Sequence, residues 1–139
     1  MSVAFSELIE AFEFISSDPV FGNSARVNRK TGTVHWHTDW DSELFEEPED
    51  IDDDEKYIDL PTPRDLDLGR PLAMRFAAER LDDHYDEIAA IFSRKGAWRR
   101  FKDFLFRVGA LDRWYAYESE AKEKALRAWC EENGIDVEG

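Results

Sequence analysis

The sequence is poor in cysteine and lacks long uncharged apolar runs. Its single cysteine excludes an intrachain disulfide framework and fits a reducing compartment. No uncharged apolar run approaches the roughly 18 residues that a membrane span needs. Glu7, Glu10 and Glu13 lie near the start of the chain without a basic residue before them, so we expect no secretory signal there. Together these features predict a cytoplasmic protein with no membrane partner.

Basic residues are also scarce, since 18 Lys and Arg face 32 Asp and Glu for a formal net charge of −14. A surface this acidic repels phosphates at long range, which disfavours nucleic acid as a partner. Hydrophobic residues make up 42% and aromatic residues 14% of the chain, which is too much for a disordered protein. A chain of 139 residues buries enough surface for one core, and we expect a single domain over residues 1–139.

The negative charge is concentrated in one stretch, residues 39–55, which we call the acidic segment. It holds eleven Asp and Glu and no Lys or Arg, so the other 122 residues carry only −3. Residues 94–107 have the opposite character, with six basic residues and one acid for a local charge of +5. We expect the acidic segment to be a flexible insert. Two alternatives remain open: it folds onto the basic stretch of its own chain, or it engages another protein.

Hydrophobic periodicity predicts an α+β fold with an N-terminal helix, a small antiparallel three-stranded sheet and a C-terminal four-helix segment. The first helix has apolar residues at steps of three and four, namely Phe5, Leu8, Ile9, Phe12 and Ile15. The run ARVNRKTGTVHWHT predicts a hairpin that turns at Gly32, where a positive φ is needed. In its return strand Trp36 points to one face and His35 and His37 to the other.

The sequence KYIDLP predicts a third strand, and the pattern is helical from Gly69 onward. Asp83 is expected to cap the second of the four helices. The third helix is predicted over 97–108, and the fourth is predicted to begin at Asp112 and to run for about 20 residues.

The motifs KGAWRRFKD, WYAY and WCEENGI follow one another near the end of the chain. Together they resemble the signature of a bacterial family known as uncharacterised protein family 0158. The matching positions are Lys95, Gly96, Ala97, Trp98, Arg100, Phe101, Lys102, Asp103, Trp114, Tyr115, Tyr117, Trp129 and Glu131 to Ile135. The family has no established activity, so the resemblance implies a bacterial origin and assigns no catalytic residue.

The basic third helix is the leading candidate site. Lys95, Arg99 and Arg100 lie around its start, where free backbone N–H groups and the helix dipole favour an anion. Lys102 lies further along the helix, beside Phe106, which falls off the apolar face and is predicted to be an exposed aromatic within a charged rim. Trp114 and Tyr115, at the start of the next helix, complete the candidate surface.

This pattern predicts a non-catalytic binding module that presents residues 94–107 to a protein or a small anionic ligand. The alternative is that residues 94–107 form an ordinary solvent-exposed helix face without a binding role, in which Arg99, Asp103 and Arg107 pair with one another. Likewise, Trp114, Tyr115, Tyr117 and Trp129 line either a small-molecule groove or, as helical spacing favours, a core.

Three other functions remain open. The first is a site for RNA or a nucleotide on the basic helix, whose binding would weaken steeply with salt. His35, His37, Asp39 and Asp41 are spaced by two residues, which suggests a metal-dependent enzyme. His-x-His spacing alone has low specificity, and a solvent-exposed face of a strand explains it equally. The acidic segment also carries enough carboxylates to imitate nucleic-acid phosphates. No Gly-rich nucleotide loop, zinc-protease motif or nucleophile elbow is present. We therefore expect no cofactor and no metal. The sequence disfavours catalysis without excluding it, and it does not indicate an oligomeric state.

Overall fold

The computed structural model describes residues 2–17, 22–41 and 43–139, and it has the predicted α+β fold. The helices are α1 (Phe5–Ser17), α2 (Arg70–Arg80), α3 (Tyr85–Ile91), α4 (Ala97–Arg107) and α5 (Leu111–Glu132), with a 3-10 turn at Asp82–His84. The strands are β1 (Ser2–Ala4), β2 (Ser24–Asn28), β3 (Val34–His37), β4 (Tyr57–Asp59) and β5 (Asp136–Glu138). The N-terminal helix, the three-stranded antiparallel sheet and the four C-terminal helices are therefore confirmed. Among the described residues, no helix combines the length and the apolar character needed to cross a membrane.

The chain divides into two compact units. Unit 1 combines Met1–Leu66 with Ala125–Gly139, and unit 2 is the continuous stretch Asp67–Lys124. The expectation that residues 1–139 form a single domain stays a prediction.

The core of unit 1 forms where α1 packs on the sheet. Spacings of three and four residues put Phe5, Leu8, Phe12 and Ile15 on one face of α1, and all four are buried. Phe14 lies on a different side of α1 from these four residues, and its ring stacks on Trp36 of β3 with a centroid distance of 4.7 Å. One face of the sheet is therefore apolar and lies toward α1.

The sheet has the order β3-β2-β4, and both of its strand pairs are antiparallel. Arg26 lies opposite His35 on β3 and opposite Asp59 on β4. Because side chains alternate along a strand, these residues share one face, and Ala25, Val27 and Trp36 share the other. We call the first the polar face; it comprises Ser24, Arg26, His35, His37 and Asp59. The prediction that the two histidines point away from Trp36 is confirmed.

The hairpin between β2 and β3 turns at the predicted residue. Gly32 has a φ of +77°, and its N–H donates to the carbonyl of Asn28 at 2.8 Å. A Cβ at this position would lie 2.6 Å from the backbone oxygen of Ser2. Both the positive φ and the close approach require glycine here.

A second sheet, which the sequence did not predict, pairs β1 with β5 in parallel. Ser2 lies opposite Asp136 and Ala4 opposite Glu138. Strands of three residues are too short to display an alternating pattern, so periodicity could not reveal them.

Unit 2 encloses a core to which all of its helices contribute. The buried residues include Phe76 of α2, Ile88 of α3, Phe101 and Leu105 of α4 and Trp114 of α5. Each such side chain contributes roughly 1.5–3 kcal/mol relative to an exposed one.

The capping role expected for Asp83 is wrong. Asp83 lies inside the 3-10 turn, and α3 begins after His84 without a side-chain cap. Leu81 is buried just before this turn and has an extended φ of −139°. Because the chain leaves the helical conformation at Leu81, it enters α3 through a tight turn rather than through an Asp cap.

Candidate interaction surface

A left-handed glycine sets the start of α4. Gly96 has a φ of +73°, and a Cβ there would meet nothing within 4 Å. The chain therefore turns at Gly96 by its backbone alone, and Phe101, Phe104 and Leu105 then face the core of unit 2. The opposite side of α4 is left to carry the basic residues.

The predicted cations are all exposed. Lys95, Arg99, Arg100 and Lys102 lie at the surface, and none of them forms an ion pair with a carboxylate of the described residues. The guanidinium of Arg100 donates to the backbone carbonyl of Lys95 and so closes the turn before the helix. The Arg99–Asp103–Arg107 ladder does not form in the part of the chain that the structure describes.

Three aromatic side chains lie among these cations. Phe106 is 73% exposed, Tyr115 45% and Trp98 39%. Trp98, Lys102 and Phe106 follow one another at steps of four and thus form one stripe along α4. The ammonium of Lys102 lies 5.8 Å from the ring centroid of Tyr115, within cation–π range. We call the set Trp98, Arg99, Lys102, Phe106 and Tyr115 the α4 surface.

Trp114 does not belong to this surface, which corrects its place among the candidate residues. It is fully buried, and its ring lies 5.1 Å from Phe101 and 5.3 Å from Phe76, centroid to centroid. Tyr117 is also partly buried, and its hydroxyl donates to Glu79 at 2.9 Å. Trp114 therefore belongs to the core of unit 2 and Tyr117 packs against that core, as their helical spacing favoured.

In unit 1, the acidic segment contacts the polar face of the sheet. Arg26 is the centre of these contacts: its Nε donates to Asp59 at 2.7 Å, its Nη2 to Asp54 at 2.6 Å and its Nη1 to the carbonyl of Ile51. Its side chain is only 14% exposed. A guanidinium has a fixed fork of donors, so one side chain joins β2, β4 and the acidic segment.

His37 provides a second attachment. Its Nε2 lies 2.8 Å from Asp39 and its Nδ1 lies 2.8 Å from Glu47. Both partners are carboxylates, which only accept, so both contacts are hydrogen bonds only when the imidazole carries two protons. The hydrogen bond to Asp39, aided by the charge of Glu47, raises the pKa of His37 from its ordinary value of 6.5.

The polar face forms the floor of a pocket of about 430 Å³. The residues that line the pocket, floor included, are Ser24, Arg26, His35, His37, Glu47, Ile51, Asp52, Asp54 and Asp59. The predicted alternation breaks after β3, because the strand ends at His37 and Asp39 turns back to that imidazole. Within the described ranges no group of three or more His, Cys, Asp or Glu is arranged to hold a metal ion. The metal-dependent enzyme stays a hypothesis.

Four glutamates of the acidic segment face outward. Glu43, Glu46, Glu49 and Glu55 are exposed and, among the described residues, have no hydrogen-bond or ion-pair partner on their carboxylates. Leu44 is 52% exposed beside them. The segment thus has an inner row of carboxylates that anchors it to the sheet and an outer row that is accessible. Imitation of nucleic-acid phosphates by this outer row stays a hypothesis.

No family model, curated protein or solved structure matches this chain. The resemblance to uncharacterised protein family 0158 therefore stays a prediction that rests on the three motifs. Arg26, which joins the acidic segment to the sheet, is the residue whose role the sequence reasoning missed. One feature of the sequence pointed to it: Arg26 alternates with the apolar residues Ala25 and Val27. This alternation places Arg26 on the polar side of β2, the side on which the two histidines of β3 lie.

Proposed function

We propose that the chain is a non-catalytic binding module whose α4 surface binds an acidic segment of a partner protein. The observation that carries this proposal is Phe106, which is 73% exposed on a helix whose neighbouring cations have no carboxylate partner among the described residues. Interfaces are enriched in aromatic residues and Arg, and their strongest contacts centre on such anchors.

The chemistry of the α4 surface favours a protein over other anionic partners. A partner segment that alternates carboxylates with apolar side chains satisfies Arg99 and Lys102 and covers Phe106 at the same time. A small anion leaves Phe106 in water.

We also propose, on the KGAWRRFKD, WYAY and WCEENGI motifs, that the chain is a bacterial protein of uncharacterised protein family 0158. A cytoplasmic setting agrees with its single cysteine, which is free and buried. The proposal assigns the chain no cofactor and no catalytic residue.

A photo-crosslinking amino acid at position 106 tests this function in extracts of the native cell. We expect one crosslinked product whose partner contains an acidic stretch, and we expect Arg99→Glu with Lys102→Glu to abolish it. The control is Arg64→Glu with Arg70→Glu, which changes the net charge equally at two exposed positions outside the α4 surface. The proposal fails if position 106 yields no product at any salt concentration from low to physiological, or if the product survives the α4 variant. A thermal melt of each variant ensures that both chains remain folded.

A further inference from the structure

The two units divide the charge of the chain very unequally. Unit 2 holds 12 Lys and Arg against 11 Asp and Glu, a net charge of +1. Unit 1 holds the other 6 basic and 21 acidic residues, a net charge of −15. One molecule therefore contains both a strongly anionic unit and a near-neutral unit that carries the α4 cations.

The acidic segment combines carboxylates with exposed apolar side chains, as the proposed partner of the α4 surface should. Its outer carboxylates, such as Glu43 and Glu46, flank Leu44, which is 52% exposed, and Trp40 is 67% exposed nearby. The α4 surface has the complementary arrangement, with Arg99 and Lys102 beside Phe106 and Tyr115. Carboxylates can meet cations across such a contact while apolar side chains meet aromatic rings.

The acidic segment is also attached to the sheet at several points. Its inner row is bound to the polar face of the sheet through Arg26 and His37. A segment that is already held in place loses less conformational entropy on binding than a free one. A second copy of this chain therefore offers a preorganised acidic ligand.

From this complementarity we infer that one occupant of the α4 surface is the acidic segment of a second copy of this chain. The inference rests on the proposed function and names its partner. The net charge of −14 on each copy opposes association at long range, but physiological salt screens charges beyond roughly 8 Å. At contact the opposite local charges dominate, since unit 2 carries almost no net charge of its own. Low ionic strength extends the range of the repulsion between the two copies, and high salt weakens the attraction between the local charges. We therefore expect the association to be strongest at intermediate salt.

Sedimentation velocity over a range of protein concentrations tests this inference with charge variants. The first variant is Arg99→Glu with Lys102→Glu, and the second is Glu43→Lys with Glu46→Lys. We expect each to weaken self-association on the order of tenfold or more, because each turns attractive pairs into repulsive ones. The matched controls are Arg64→Glu with Arg70→Glu and Glu10→Lys with Glu132→Lys, all at exposed positions, and we expect them to associate like the native chain.

Two further samples separate a specific contact from general charge effects. An equal mixture of the two variants retains one native α4 surface and one native acidic segment, so it should form a mixed dimer that neither variant forms alone. A chain with all four substitutions exchanges the signs on both sides and should regain self-association.

A native chain that is monomeric at every concentration and salt overturns the inference. So does self-association that the α4 variant leaves unchanged, or a mixture that fails to form the mixed dimer. The proposed function would survive a monomeric result if the crosslink at position 106 still captured a different acidic protein, so the two can fail separately.

Discussion

Arg26 of β2 and Asp54 of the acidic segment lie 28 positions apart in the sequence and are joined by an ion pair of 2.6 Å between Nη2 and Oδ1. The same guanidinium also holds Asp59 of β4. One guanidinium therefore joins β2, β4 and the acidic segment. Its removal takes the shared counter-charge away from Asp54 and Asp59.

Replacing Arg26 with methionine tests this dependence. We expect Arg26→Met to lower the free energy of unfolding by about 1.5–3 kcal/mol, the usual worth of hydrogen bonds to charged groups. Urea unfolding followed by circular dichroism measures the change. Lys30→Met removes an exposed cation of the same unit and should cost less than about 0.5 kcal/mol. Equal losses for the two variants would contradict the role given to Arg26.

The contact of His37 with two carboxylates predicts a pH-dependent stability. The pKa of His37 is raised in the folded chain, so its contribution is fully present below the unfolded value near 6.5 and is lost as the pH rises through the folded value. We expect the native chain to lose about 0.2–1 kcal/mol on this account, the range of partly exposed ion pairs. Urea unfolding at a series of pH values measures it.

The control for this prediction is the other histidine of the polar face. His37→Gln should abolish the pH-dependent part, whereas His35→Gln should retain it. If His37→Gln leaves the pH profile unchanged, the two hydrogen bonds to His37 do not form in solution.

The turn at Gly96 predicts a backbone penalty without a steric one. Gly96 has a φ of +73° and open space at its Cβ position, so a substitution pays only for the left-handed conformation. We expect Gly96→Val to cost about 1–2 kcal/mol, and Gly96→Asn to cost less because Asn tolerates this region. Thermal melts of both variants provide the test. A valine variant as stable as the native chain would show that α4 begins elsewhere.

The single cysteine predicts a simple assay for the opening of unit 1. Cys130 is fully buried, and burial raises the pKa of its thiol, which disfavours the reactive thiolate. We expect a thiol reagent to label the native chain at least about a hundredfold more slowly than the chain in urea, which corresponds to an opening free energy of about 2.8 kcal/mol. Mass spectrometry follows the single adduct. Fast labelling in native buffer would be evidence against a closed core around α5.

The periodic parts of this fold could be read from the sequence. The buried faces of α1 and α4 repeat every three to four residues, and the alternation of Trp36 with the histidines fixes the faces of β3. Contacts over long sequence distances could not be read in this way. Arg26 finds Asp59 33 positions away, and no local pattern encodes that distance.

The candidate site was also only partly predictable. Exposure of Phe106 follows from its position off the apolar stripe of α4, and the structure agrees. Trp114 was misassigned because it lies next to Tyr115 in a dense motif, although adjacent residues on a helix point about 100° apart. One of them turns into the core and the other turns to water.

The parallel pairing of β1 with β5 has a consequence for how the protein is made. Ser2 needs Asp136 as its neighbour, so the sheet it belongs to must wait until the ribosome has released residues from near the other end of the chain. The continuous stretch Asp67–Lys124 is under no such constraint and emerges earlier. During synthesis the pairing of β1 with β5 therefore forms only after the whole of that stretch has emerged.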